Sequence, residues 1–135
     1  MEPLSVDRWL YAKLTGDTTL MALITGVYTL PAPASAVLPF VLIQEQASSD
    51  IRGVGPARIG ITGTWLVRGV AQTVSWAGNL ETIANRIDVL LQAASGTVSG
   101  GVVWACVRER PFRLIETVQS GTFRHQGGQY RIWAT

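Results

Sequence analysis

From residue 80 to residue 94 the apolar side chains Leu80, Ile83, Ala84, Ile87, Leu90, Leu91 and Ala94 recur at helical spacing, with Glu81, Thr82, Asn85, Arg86 and Gln92 between them. This predicts one long amphipathic helix, closed by Gly96. Just before it the period changes to two. Ile59, Ile61, Trp65 and Val67 face one way while Thr62, Thr64 and Arg68 face the other, the pattern of a half-buried strand. A chain that carries both periods, with strands on either side of the helix, points to an α+β domain.

The remaining elements follow from stop and turn signals. Ser5 is read as an N-cap for a helix whose stripe is Val6, Trp9, Leu10 and Leu14, ended by Gly16. Asp17 caps a second, shorter helix that buries Leu20, Met21, Leu23 and Ile24. Strands are predicted at residues 27–30, 39–46, 59–70, 102–109, 112–119 and 122–134, with Pro111 breaking the pairing and Ser120-Gly121 turning the chain. Gly127-Gly128 is read as a bulge in preference to a type I′ turn. Trp65, Trp104 and Trp133 are assigned to the core, Trp9 to a buried helix face, and Trp76 to the start of the long helix. The predicted architecture is a mostly antiparallel sheet, the long helix packed across one face, and a short N-terminal helical pair. With no repeat and no linker, residues 1–135 are read as a single domain.

Charge is the compositional anomaly. Only 15% of the 135 residues are charged, 11 basic and 9 acidic, where a soluble domain of this length would carry about 34. Mean hydropathy is +0.25. A folded chain of this mass exposes about 6,900 Å², more than so few charges can cover, which predicts surface buried against other subunits. The net charge of +2 excludes a dedicated nucleic-acid binder, whose basic face is far denser. The longest apolar run, residues 36–43, contains Pro39 and falls well short of the ~20 residues a membrane helix needs. Met1-Glu2-Pro3 has no basic, then apolar, leader pattern, so synthesis in the cytoplasm is expected.

No catalytic constellation emerges. Cys106 and His125 are the only thiol and the only imidazole; nothing orients the base, and a lone strand cysteine reads as a small buried hydrophobe. Gly53 and Gly55 precede a strand, whereas a phosphate loop must open a helix. Glu45, Asp50, Glu109 and Glu116 show no paired spacing, so no metal or cofactor is expected. Arg108, Arg110 and Arg113, with Arg124 and Arg131 across a hairpin, form the one basic cluster. They are either a patch for DNA phosphate or an acidic partner, or cross-strand partners of Glu109 and Glu116; the second reading carries more weight.

The stretch 48–56 has turn chemistry throughout and is read as an arm projecting from the sheet at about residues 48–57. Its residues Ser48, Ser49, Asp50, Ile51, Arg52, Gly53, Val54 and Gly55 are candidate interface positions. So are Arg108, Arg110 and Arg113, and Tyr130 and Ile132 in a last strand expected at a sheet edge.

Local sequence adds a likeness. The segments VDRWLYAKLTGDTTLMALI, VYTL, PFVLIQ, WLVRG, ETIANRIDVLLQ, RERPFRLIE and RHQGGQYRIW, in this order, resemble the small tail-terminator (tail-completion) proteins of long-tailed bacteriophages over residues 6–133. The resemblance implies a non-enzymatic virion protein at the head-proximal end of the tail. It implies a homohexameric ring that caps the tail tube, stops its polymerisation and meets the head–tail connector, with DNA only in transit through the lumen and no membrane or cofactor. The readings that compete with it are a head-completion or neck ring of the same particle, and a small nucleic-acid-binding protein.

Overall fold

Half of the chain is strand and 22% is helix, so the expected α+β plan built on one long helix gives way to a strand-dominated fold with short helices. The computed structural model describes residues 1–135. The elements are α1 (Pro3–Thr15), α2 (Thr18–Met21), β1 (Val27–Thr29), β2 (Phe40–Arg52), β3 (Arg58–Ala71), α3 (Asn79–Leu91), β4 (Ala94–Val98), β5 (Gly101–Val118) and β6 (Gly121–Ala134). All six strands form one curled, mixed sheet in the order β1-β2-β3-β6-β5-β4. β1 runs parallel to β2, pairing Val27 with Val41; the other ladders are antiparallel.

The expected long helix across a sheet face is absent. α3 has 13 residues, no more than α1. Gln92 leaves the helix with ψ at 123°, Ala93 takes a positive φ of 61°, and the Ala93 amide donates to the Cys106 carbonyl at 2.8 Å. Ala94 therefore starts β4: a small apolar residue at helical spacing fits a strand equally well, so the period alone overran the helix.

The short helices share one side of the sheet. Val6, Trp9, Leu10 and Leu14 of α1 and Ile83, Ile87 and Leu91 of α3 meet Val41, Ile43, Ile61, Trp65, Val67, Tyr130 and Ile132 in one cluster of 20 buried residues. Each such aliphatic side chain contributes about 1.5–3 kcal/mol by leaving water. Two polar ties brace the helices: Trp65 Nε1 donates to Asp7 at 2.9 Å, and Tyr130 donates to Asp88 at 3.0 Å. Asp17 caps α2 as its sequence position predicts, accepting from the Leu20 amide at 2.9 Å. Ser5 is not the cap of α1: the helix opens with Pro3, whose missing N–H and fixed φ suit the first turn, and Glu2 flanks it.

Two strand boundaries and one expected irregularity also change. Residues 48–52 are strand, paired from Ser48–Gly63 to Arg52–Arg58, because the neighbouring β3 supplies a ladder that local propensity does not reveal. Pro111 does not end β5; it pairs with Gly128, and the irregularity lies between Arg108 and Arg110. Gly127 and Gly128 form neither bulge nor turn but continue regular ladders to β3 and β5. Trp104 and Trp133, assigned to the core, are 63% and 38% exposed.

Candidate assembly interface

The sheet leaves two stretches of edge bare. β4 covers β5 only from Gly101 to Cys106, so no strand covers the outer side of residues 107–118, where the Arg108 amide donates to Gln92 Oε1 at 2.7 Å. At the other end β1 covers β2 at Val41, Leu42 and Ile43, leaving residues 44–52 open. Such edges present unpaired N–H and C=O groups to any strand that arrives. On β5 the exposure includes the apolar side chains of Leu114, Ile115 and Val118.

The projecting arm is the end of the β2–β3 hairpin. The β3–β6 ladder stops at Ile61, so residues 51–59 stand beyond the sheet, held only by their own ladder. Gly53 N–H donates to the Ala57 carbonyl at 2.9 Å, and Gly55 supplies the positive φ (83°) that the turn needs. Val54 at the tip is fully exposed. Arg58 lies 3.8 Å from Asp50 and 3.6 Å from Glu2; with all three side chains solvated these ion pairs add little.

The arginine cluster is largely spent inside the protomer. Arg108 lies 3.7 Å from Asp88 and Arg110 donates to Gln129. Arg113 and Arg124 flank the Trp76 ring at 5.0 and 4.8 Å, and Arg131 donates to Glu109 at 2.6 Å. Trp76 thus precedes α3 as a cation–π anchor rather than opening the helix.

Tyr130 and Ile132 do not lie at an edge. β6 runs between β3 and β5, and both side chains are about 1% exposed within the protomer's own core. A chain's last strand need not be outermost, because the β5–β6 hairpin folds back and inserts β6 beside β3. Cys106 and His125 are also kept apart. Cys106 sits in the helix-side core opposite Ile132; His125 lies seven residues from Ile132 along β6, roughly 23 Å at strand rise. Burial pushes the Cys106 thiol up to about 12, which leaves no thiolate near neutral pH.

A polar strip on the sheet face away from the helices escaped the sequence reading. Arg68, placed there only on the face opposite Ile61, Trp65 and Val67, is 6% exposed, and so is His125. Arg68 Nε donates to His125 Nδ1 at 3.1 Å and a terminal nitrogen donates to Gln44 at 2.9 Å. The guanidinium lies 5.8 Å from the Phe112 ring centre. His125 Nε2 faces Glu116 at 3.6 Å without a hydrogen bond. Burial first, and then the neighbouring Arg68 charge, holds the imidazole below its ordinary pKa. The strip floors a cleft of about 510 Å³ whose walls include Leu30, Pro33, Leu38 and Phe123. The only sequence signal was the arginine alternating with buried apolar residues in β3, a pattern that an exposed face shares.

No family model matches the sequence, and no curated protein matches it. A solved structure is similar in fold: a chain from the virion of a native gene transfer agent particle, 16% identical, with 93% of this chain and 90% of that chain covered and a TM-score of 0.68.

Proposed function

We propose that this protein is a structural component of a phage-like virion, a tail terminator whose copies form a ring on the head-proximal end of the tail tube. The fold shared over 93% of this chain with a chain of a gene transfer agent virion supports the virion part of this reading; the terminator role rests on the sequence resemblance over residues 6–133. The scarcity of charge and the two bare sheet edges support it, since both suit a protomer that meets neighbours on more than one side.

The mechanism is steric. A tube end is a heterologous interface that goes on adding subunits until something matches it below and differs above. In this reading one rim of the ring, including the arm tip at Gly53, Val54 and Gly55, seats on the last tube ring. The other rim offers the connector a new surface, and DNA crosses the lumen only in transit. The role is structural, not catalytic.

The test is tail-tube assembly in vitro with and without the purified chain. Capped tubes stop growing, so their lengths shorten as the chain is added. Unchanged lengths contradict the reading. Binding to emptied capsids in place of tubes would transfer the protein to the neck. Retention on DNA that falls steeply with salt would favour a nucleic-acid binder.

A further inference from the structure

The two bare edges differ in direction as well as in sequence, and this decides how copies can join. The ladders β2–β3, β3–β6 and β6–β5 are all antiparallel, so β2 and β5 run in opposite senses. Rotation about an axis roughly along the strands brings β5 of one copy beside β2 of the next in antiparallel sense, the pairing each already uses on its inner side. We infer that copies of this chain join head to tail through these edges. Residues 44–52 of one protomer lie against residues 107–115 of its neighbour, and the sheet runs unbroken between them.

The chemistry of the two stretches is complementary. The β2 stretch holds Glu45 and Asp50 against Arg52; the β5 stretch through Glu116 holds Arg108, Arg110 and Arg113 against Glu109 and Glu116. In formal charge one acid in excess on β2 meets one base in excess on β5. Because Asp50 and Arg108 already face Arg58 and Asp88 within the protomer, this adds only a small preference for the mixed contact over either edge pairing with itself. From Ala47 to Asp50 the β2 edge carries small side chains, with neither the proline nor the lysine that keeps other edges apart. On β5, Pro111 and the irregularity beside Arg108 interrupt the edge, which limits promiscuous pairing. Leu114 and Ile115, 43% and 51% exposed, gain cover from the neighbour.

The geometry also permits closure at one tilt. β1 and β4 occupy the rest of each edge, so the free stretches sit at different heights. Ser48 is level with Gly63 and Ile132, and Pro111 is level with Gly128. The offset is four residues of β6, about 13 Å, while four strands span about 19 Å. Strands tilted about 35° to the rotation axis bring the edges together without any rise, within the range of closed sheets. A different tilt would give an open filament. The inference deepens the ring reading and depends on it for closure alone.

The test uses two full-length single variants, Ser48→Cys and Arg113→Cys, and the double variant. Cys106 is fully buried and silent. A short bis-maleimide tolerates a slip of a residue or two. The expected result is a cross-linked dimer from the mixed single variants, none from either alone, and a covalent ladder from the double variant that stops at a fixed number of copies. A dimer from Ser48→Cys alone overturns the head-to-tail contact. A wild-type oligomer whose double variant stays uncrosslinked overturns the edge contact and leaves the ring standing. A ladder without a stop supports the edges and contradicts the ring. Wild-type protein that sediments as a monomer at every concentration overturns the inference.

Discussion

Arg68 and His125 meet on adjacent strands, the guanidinium Nε–H donating to imidazole Nδ1 at 3.1 Å while both side chains are almost wholly buried. The bond requires an unprotonated Nδ1, so the neutral ring carries its proton on Nε2, toward Glu116. The folded chain resists a second proton there, because burial and the Arg68 charge hold the pKa down. An unfolded histidine protonates as pH falls through about 6.5, so the unfolded state takes up the proton first. This contribution to stability is full above that value and is lost as pH falls toward the lower folded pKa. Thermal unfolding should show a melting temperature that drops between pH 7 and pH 5.5 in the wild type and less in His125→Gln; equal slopes would remove the histidine as the cause.

Asp17 serves two partners at once. It accepts from the Leu20 amide at the start of α2 and from two Arg86 nitrogens, both at 2.8 Å. The Arg86 bonds hold its carboxyl below the ordinary 3.8, so this support is complete above that pH and disappears as acid titrates the group. Replacing Asp17 with Ala should cost about 1 kcal/mol through the lost cap, or about 3–5 °C in melting temperature for a chain of this length. Arg86→Ala should lower it as well. Scanning calorimetry at pH 7 decides, and an unchanged transition in both variants would show the link to be idle.

Gly127 and Gly128 are adjacent in one strand yet should tolerate a methyl group unequally. A Cβ at Gly127 would run into the Val67 carbonyl oxygen and the Arg68 backbone, which the β3–β6 ladder fixes in place. At Gly128 the nearest atom is Arg108 Cδ at 2.7 Å, the mobile part of a long side chain. Overpacking a fixed site costs about 1–3 kcal/mol, so Gly127→Ala should lower the urea midpoint clearly more than Gly128→Ala. The reverse order would mean that the β3–β6 ladder yields more easily than the Arg108 side chain.

The arm can be removed without touching the core, since residues 50–55 lie at or beyond the end of the β3–β6 ladder. Deleting them should leave circular dichroism and cooperative melting intact while tube capping falls at least tenfold in the concentration required. Normal capping by a folded deletion variant would take the arm out of the mechanism.

What could be read from the sequence was local. The stripe Val6, Trp9, Leu10 and Leu14 is wholly buried, Asp17 caps where a short acid before a helix should, and Ile61, Trp65 and Val67 share the core, while Ile59 of the same predicted face is 56% exposed on the arm. The larger failures were non-local. Residues 48–52 look like a loop until β3 gives them a partner. The position of β6 inside the sheet is a matter of strand order, which no period encodes. The burial of Arg68 and His125 follows from the curl of the sheet and from Phe112 and the proline-rich stretch before β2, not from anything at positions 68 or 125. The candidate interface divided in the same way: the arm residues and the arginines of β5 are at the surface, whereas Tyr130 and Ile132 belong to the core.

Electron microscopy of tail tubes incubated with the purified chain tests the proposed role most directly. A ring of copies seated on one end of each tube, with no binding along its length, is the predicted image. Bare ends, or protein scattered along the tube wall, would contradict it.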